Sequence, residues 1–320
     1  MKKVYIYIVV SVLCFFTYKT TNAWGFYGHK LCNRNAVFSL PPQMFGFYKN
    51  YIDYLTEHSV DPDSRRYIVA DEACRHYLDA DHYEKAVPFD TIPKYWKEAV
   101  AKYTEDTLTT HGIVPWHVFL MYYRLRDAFE KKDVSKILKT SADIGHYIAD
   151  AHVPLHSTSN YNGQKTDQKG IHGLWESRVL ELFSTEYDYF CGRAMYIDKV
   201  QEYMWTVAEG SYAAVDSVLY FEKMATKIFG DDRKFTFEQR GSTTIRTYSQ
   251  DFCRKYHDIL GDQVERRLRS SILSISSIWY TAWVDAGMPD LDKLITNEPI
   301  KPEEKIPENL PEKMIGRQED

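Results

Sequence analysis

The chain has 320 residues, 44% hydrophobic, 15% aromatic and 27% charged. That length supports one large core or at most two small domains, with an ordinary soluble surface. A net charge of −5 argues against duplex DNA as a partner, because phosphate neutralisation needs clustered Lys and Arg; a metal site that brings its own charge escapes that argument.

The first residues read as a secretory signal. Lys2 and Lys3 open it, residues 4–16 form an apolar run too short to span a bilayer comfortably, and Thr21-Asn22-Ala23 offers a small residue at the cleavage edge. Cleavage behind Ala23 is expected, with release to the periplasm or the medium, leaving Trp24 as the first mature residue. It removes Lys2, Lys3 and Lys19 and no acid, so the charge moves from −5 to about −8. Cys32, Cys74, Cys191 and Cys253 remain. Export permits disulfides, and buried thiols, one bridge or two bridges all stay open. No C-x-x-C pair signals a zinc ribbon.

Helical periodicity dominates the rest. Over 44–55, Met44, Phe47, Tyr51 and Leu55 share a face. Val60-Asp61-Pro62-Asp63-Ser64 is turn chemistry. Residues 114–129 repeat apolar side chains at helical steps, with Pro115 suited to a first turn. A helix over 134–148 carries the stripe Val134, Ile137, Leu138 and Ile144. A polar loop over 160–170 contains Gly163 and Gly170. Long helices are predicted within 195–229 and from about 248 to 286. No sustained β alternation is visible. After Leu291, Pro299, Pro302, Pro307 and Pro311 alternate with Glu and Lys, the composition of a disordered tail. The expected architecture is an all-α, single-domain, multi-helix bundle over 24–291 with a tail over 292–320.

The chemistry concentrates in His146-x-x-x-Asp150-x-His152-x-x-x-His156. On a helix His146 and Asp150 share a face and can reach one metal ion. Pro154 bends the chain, so His156 points from a turn toward a neighbouring site. His152 faces elsewhere and reads as structural or supporting. His172 and Glu176 follow at the same helical spacing. His156 brought back to that pair makes a His-His-Glu set, a zinc arrangement with an open position for water. One His/Glu pair on a helix is usually a solvated face; two such pairs plus His156 are far more specific for metal. His58, His82, His111, His117 and His257 read as structural or exposed, and Trp175 as helix packing.

Taken together, Trp24-Gly-x-x-Gly-His29, Asp61 with His76-Tyr77-x-Asp79, His-x-x-x-Asp-x-His-x-Pro-Leu-His at 146–156 and His-x-x-Trp-Glu at 172–176 resemble one superfamily. It contains the bacterial zinc-dependent phospholipases C and the fungal and plant single-strand nucleases, which are also 3′-nucleotidases. The resemblance runs from Trp24 to about Ala286. It implies an α-helical fold around a trinuclear zinc site. Asp61, His76, His146 and Asp150 match the ligands of the first zinc, and His156, His172 and Glu176 those of the second. The third matches the α-amino group and carbonyl of Trp24, His29 and a shared oxygen of Asp150, so signal removal would complete it. Asp63 competes with Asp61, and the spacing to His76 favours Asp61.

Paired zinc ions make hydroxide available near neutral pH and stabilise the charge of in-line attack on a phosphodiester. Asp61 is expected to orient the attacking water or act as its base, and Asp150 to bridge. The substrate is expected to be a phospholipid head group at a membrane surface or a single-stranded nucleic acid or nucleotide; no protein partner is inferred. The Trp24-to-His29 spacing resembles the nuclease branch. The short interval from His156 to His172, and Asn160-Tyr161-Asn162-Gly163 in place of the nucleases' Gly-Gly-Asn, favour the phospholipase branch, which comes first. A zinc-binding envelope protein without catalysis is the remaining alternative, although every expected ligand position is filled.

Overall fold

The computed structural model describes residues 25–83 and 88–296. The principal helices are α1 (Gly25–Ala36), α2 (Val114–Glu130), α3 (Val134–His152), α4 (Val200–Tyr212), α5 (Val215–Phe229), α6 (Gln250–Leu260) and α7 (Gln263–Asp285). One antiparallel hairpin joins β1 (Phe235–Arg240) to β2 (Thr243–Tyr248), in a register pairing Phe235 with Tyr248 and Arg240 with Thr243. Among the described residues, no helix is long and apolar enough to cross a membrane. The signal segment, Trp24 and residues 297–320 lie outside the described residues.

Helix α3 runs through the middle, packed against α1, α2, α4 and α7. Asp133 caps its start by accepting Lys136 N–H at 3.2 Å. Every residue from Ser141 to His152 is buried. A helix buried on all sides is normally apolar all round. This one carries Asp143, His146, Asp150 and His152, so each needs a partner inside. Asp143 pairs with Lys139 and Arg65 at 2.8 and 3.0 Å. His152 donates from Nδ1 to Ile148 O at 2.8 Å and sets Nε2 3.1 Å from Ser274 Oγ, a structural role. Pro154 stops the helix: Val153 is extended, and a 3-10 turn, Pro154–Ser157, swings His156 back toward α3.

Close packing of α1 on α3 depends on Gly145, because a Cβ there would overlap Asn33 Oδ1. Asn33 holds the contact by donating from Nδ2 to Leu55 O at 3.2 Å and Ala142 O at 3.0 Å.

The predicted helices form with extra breaks. Residues 44–55 divide between Pro42–Asn50 and Ile52–Glu57, yet Met44, Phe47, Tyr51 and Leu55 all stay buried. The last predicted helix divides into α6 and α7 at Gly261, whose φ of +70° suits glycine. The hairpin has no counterpart in the sequence reading. Its strands are short and mostly solvent-facing, so they lack the alternation that a half-buried strand shows. The ordered body also passes Leu291. The turn Asp292–Leu294 packs on Pro42–Asn50, and the Tyr51 hydroxyl donates to Thr296 O at 3.0 Å. All four cysteines are free thiols.

Candidate metal centre

Helix α3 presents His146 and Asp150 one turn apart, with His146 Nε2 3.2 Å from Asp150 Oδ2. Other elements bring partners to both faces of that carboxylate. His76, from the turn Ala73–His76, sets Nδ1 2.8 Å from Asp150 Oδ2 and 3.0 Å from His146 Nε2. On the other side, Asp150 Oδ1 lies 3.5 Å from His29 Nε2 and 3.8 Å from His156 Nδ1. The His29 ring, delivered by α1, stacks on His146 at 3.7 Å. Each Asp150 oxygen therefore serves a different set of imidazoles.

Among the described residues, three groups of potential ligands result: Asp63, His76 and His146; His29, His146 and Asp150; and His156, His172 and Glu176. In each, one donor atom per residue lies within 4.8 Å of the others, and all the residues are buried. In the last group Glu176 Oε2 is 3.4 Å from His156 Nε2 and 3.0 Å from His172 Nε2.

Hydrogen bonds fix the tautomers. His146 Nδ1–H donates to Ser59 O at 2.8 Å, His156 Nδ1–H to His76 O at 2.7 Å and His172 Nδ1–H to Tyr161 O at 3.1 Å. A carbonyl can only accept, so each neutral ring keeps its Nε2 lone pair for the centre. Burial, with neighbouring His146, pushes His29 well below its usual range. Burial takes His76 down to about 3 against the opposing Asp150 bond. Burial would raise Asp150, but His146, His156 and His29 outweigh it and hold the carboxyl well below its usual range. Glu176 follows the same logic through His172 and His156. The result is ionised carboxylates among imidazole lone pairs in a buried space, an arrangement that attracts cations.

The sequence profile of the zinc-dependent phospholipase C family matches residues 28–229. This chain belongs to the zinc-dependent phospholipase C family. Among solved structures it is similar to the alpha toxin from Clostridium absonum, at 10% identity and a TM-score of 0.44 over 85% of this chain. It is similar too to an alpha-toxin of Clostridium perfringens from an avian strain, at 13% identity and a TM-score of 0.47 over 82% of this chain. The chain spans 66% and 65% of the length of those two toxins. No curated protein matches it.

Zinc suits what the family member offers. Imidazole nitrogens with carboxylate oxygens are a zinc donor set. Asp150 Oδ1 and His172 Nε2 are buried and make no hydrogen bond, and such atoms call for a partner. Glu72 lies behind His76, with Oε1 3.8 Å from its Nε2, and is itself held by Arg75 at 2.7 Å and by the Tyr147 hydroxyl. It is the kind of supporting carboxylate that orients a ligand histidine, and its position four residues before His76 is the signal that could have found it.

The structure brings His29, His76, His146, Asp150, His156, His172 and Glu176 together. It does not bring Asp61. Asp61 opens the short helix Asp61–Arg65 and turns outward, its Oδ2 accepting from His58 Nδ1 at 2.7 Å with both side chains partly exposed. Asp63 stands in its place, buried, with Oδ1 3.6 Å from His146 Nε2 and 3.8 Å from His76 Nδ1. The two aspartates sit 200° apart around a helix, so only one can face inward. The outward one had a signal: His58 stands three residues before it.

Proposed function

We propose that this protein is an exported phospholipase C-like enzyme that hydrolyses the phosphodiester of a phospholipid head group with three zinc ions. The observation that carries the reading is Asp150, a fully buried carboxylate facing two ligand groups at once. In this reading Asp63, His76, His146 and Asp150 hold the first ion and His156, His172 and Glu176 the second. His29, Asp150 and the terminal amine and carbonyl of Trp24, exposed by cleavage behind Ala23, hold the third. Zinc supplies Lewis acidity toward phosphate oxygens and lowers the pKa of a coordinated water toward about 7.

The chain's own residues then do the following. Asp63, rather than Asp61, orients the attacking water and accepts its proton. Asp150 holds the ligand groups at fixed separation. The Nδ1–H bonds of His146, His156 and His172 to backbone carbonyls aim those rings with Nε2 toward the centre. Burial excludes bulk water, which strengthens every electrostatic contact with the developing charge.

The test is phosphocholine release from phosphatidylcholine micelles by the zinc-loaded mature protein. Release that a chelator abolishes and added zinc restores is the expected result. No release, with cleavage of single-stranded nucleic acid instead, would overturn the phospholipase assignment. The aspartate exchange is tested separately. Asp63→Asn is expected to lower the rate about 100-fold or more and weaken zinc binding. Asp61→Asn is expected to leave the rate within about twofold, since it removes only a partly exposed pair with His58. Equal losses in the two variants would contradict the placement of Asp63.

A further inference from the structure

We propose that the hairpin β1–β2 and the lysine leading into it act as an outer brace that positions His172 and Glu176. This rests on the reading of His156, His172 and Glu176 as a zinc site.

His172 and Glu176 lie in the first turns of one continuous helical run over 171–183, in which Leu174–Arg178 winds as a π-helix. A π-helical stretch inside a helix departs from the regular hydrogen-bond ladder, so contacts from outside share in setting where its side chains point. His146 and Asp150, by contrast, sit in the middle of a long buried helix.

Support reaches both ligands from the hairpin. Buried Lys234 places Nζ 2.5 Å from Glu222 Oε1 on α5, and its ammonium lies 5.7, 5.9 and 5.5 Å from the ring centres of Phe235, Tyr248 and Phe252. Glu222, also buried, accepts on its other oxygen from Gln168 Nε2 at 2.5 Å, and the same nitrogen reaches Leu219 O at 2.7 Å. Gln168 ends the polar loop. Its carbonyl accepts from Ile171 N at 3.1 Å, while Asn162 Oδ1 in that loop accepts from Gly170 N at 2.9 Å and His172 N at 3.4 Å. The second arm starts at Arg178, two residues past Glu176. Its Nε donates to Tyr248 O at 3.3 Å, and its guanidinium pairs with Glu238 on β1.

The family profile ends at residue 229, so Lys234, Glu238 and Tyr248 lie outside the matched region. Removing Lys234 leaves the buried carboxylate of Glu222 with its hydrogen bonds from Gln168 and Thr226 but without its counter-charge, the situation in which a buried ion pair matters most.

The measurement is zinc release from the loaded protein into a chromogenic chelator, with each zinc equivalent timed. Lys234→Met is expected to speed one of three equivalents about tenfold and leave the other two at the wild-type rate. Lys234→Arg, which keeps the pair, should release like wild type. The double variant Lys234→Met with Glu222→Gln, which removes both buried charges, should recover most of the loss. Acceleration of all equivalents together, or of none, would overturn the brace. Glu238→Gln touches only the partly exposed end and leaves folding intact; it should speed the same equivalent about twofold, and no change there counts against the proposal even if Lys234→Met does not fold. A zinc content unchanged by His172→Ala would instead sink the zinc reading of this group.

Discussion

Asp150→Ala is expected to abolish hydrolysis and to return a chain depleted in zinc. Losing a residue that merely supports a ligand typically lowers affinity or activity about 10- to 100-fold. Asp150 should exceed that range, because its two oxygens face His76 and His146 on one side and His29 and His156 on the other. Without it the imidazoles keep their places but lose the shared anion between them. The metal-free fold should survive, since α3 is held by apolar packing along Ile137, Leu138, Ile144 and Ile148. Circular dichroism should therefore stay helical while bound zinc falls. A linked effect follows for stability. A ligand that binds only the folded state raises stability by RT ln(1 + [L]/Kd), so added zinc should raise the wild-type melting temperature and leave Asp150→Ala nearly unmoved. A variant that keeps its full zinc content and a rate within about tenfold of wild type would refute the bridging role.

How much of this was legible in the sequence depends on how each residue is held. The helical spacing of His146 and Asp150 was readable because one long helix carries both. The turn at Pro154 was readable because proline cannot continue a helix. The spacing to His76 favoured Asp61 and misled, because a five-residue helix leaves the choice to tertiary contacts, here His58 outside and His76 with His146 inside, and those bring Asp63 to the centre. The Glu222–Gln168–Lys234 chain was invisible for a related reason. Its partners lie far apart in sequence, and a Glu or Lys in isolation reads as solvated surface. The hairpin escaped because it is held by contacts of Lys234 and Arg178 more than by its own pattern.

Gly145→Ala is expected to destabilise the protein by about 2–5 kcal/mol, although alanine is the better helix former by about 1 kcal/mol. The reason is the contact with α1. An added Cβ overlaps Asn33 Oδ1, and overpacking of this kind costs about 1–3 kcal/mol. Moving Asn33 breaks its bonds to Leu55 O and Ala142 O, and each buried polar group left unsatisfied costs about 1–3 kcal/mol more. At about 2–4 °C per kcal/mol for a domain of this size, the melting temperature should fall by roughly 5–15 °C. Zinc binding should weaken as well, because Gly145 precedes His146 and the His29 ring of α1 stacks on that imidazole. Gly173 supplies the control. It has a negative φ of −62° and nothing within 4 Å of where a Cβ would stand, so Gly173→Ala should leave stability unchanged or raise it by about 0.4–1 kcal/mol. Asn33→Ala combined with Gly145→Ala removes the overlap, and the double variant should lose less than the sum of the two single losses, as residues in direct contact do. Strict additivity, or a Gly145→Ala protein as stable as wild type, would show that α1 and α3 do not meet at this glycine, and that His29 is brought to Asp150 in some other way.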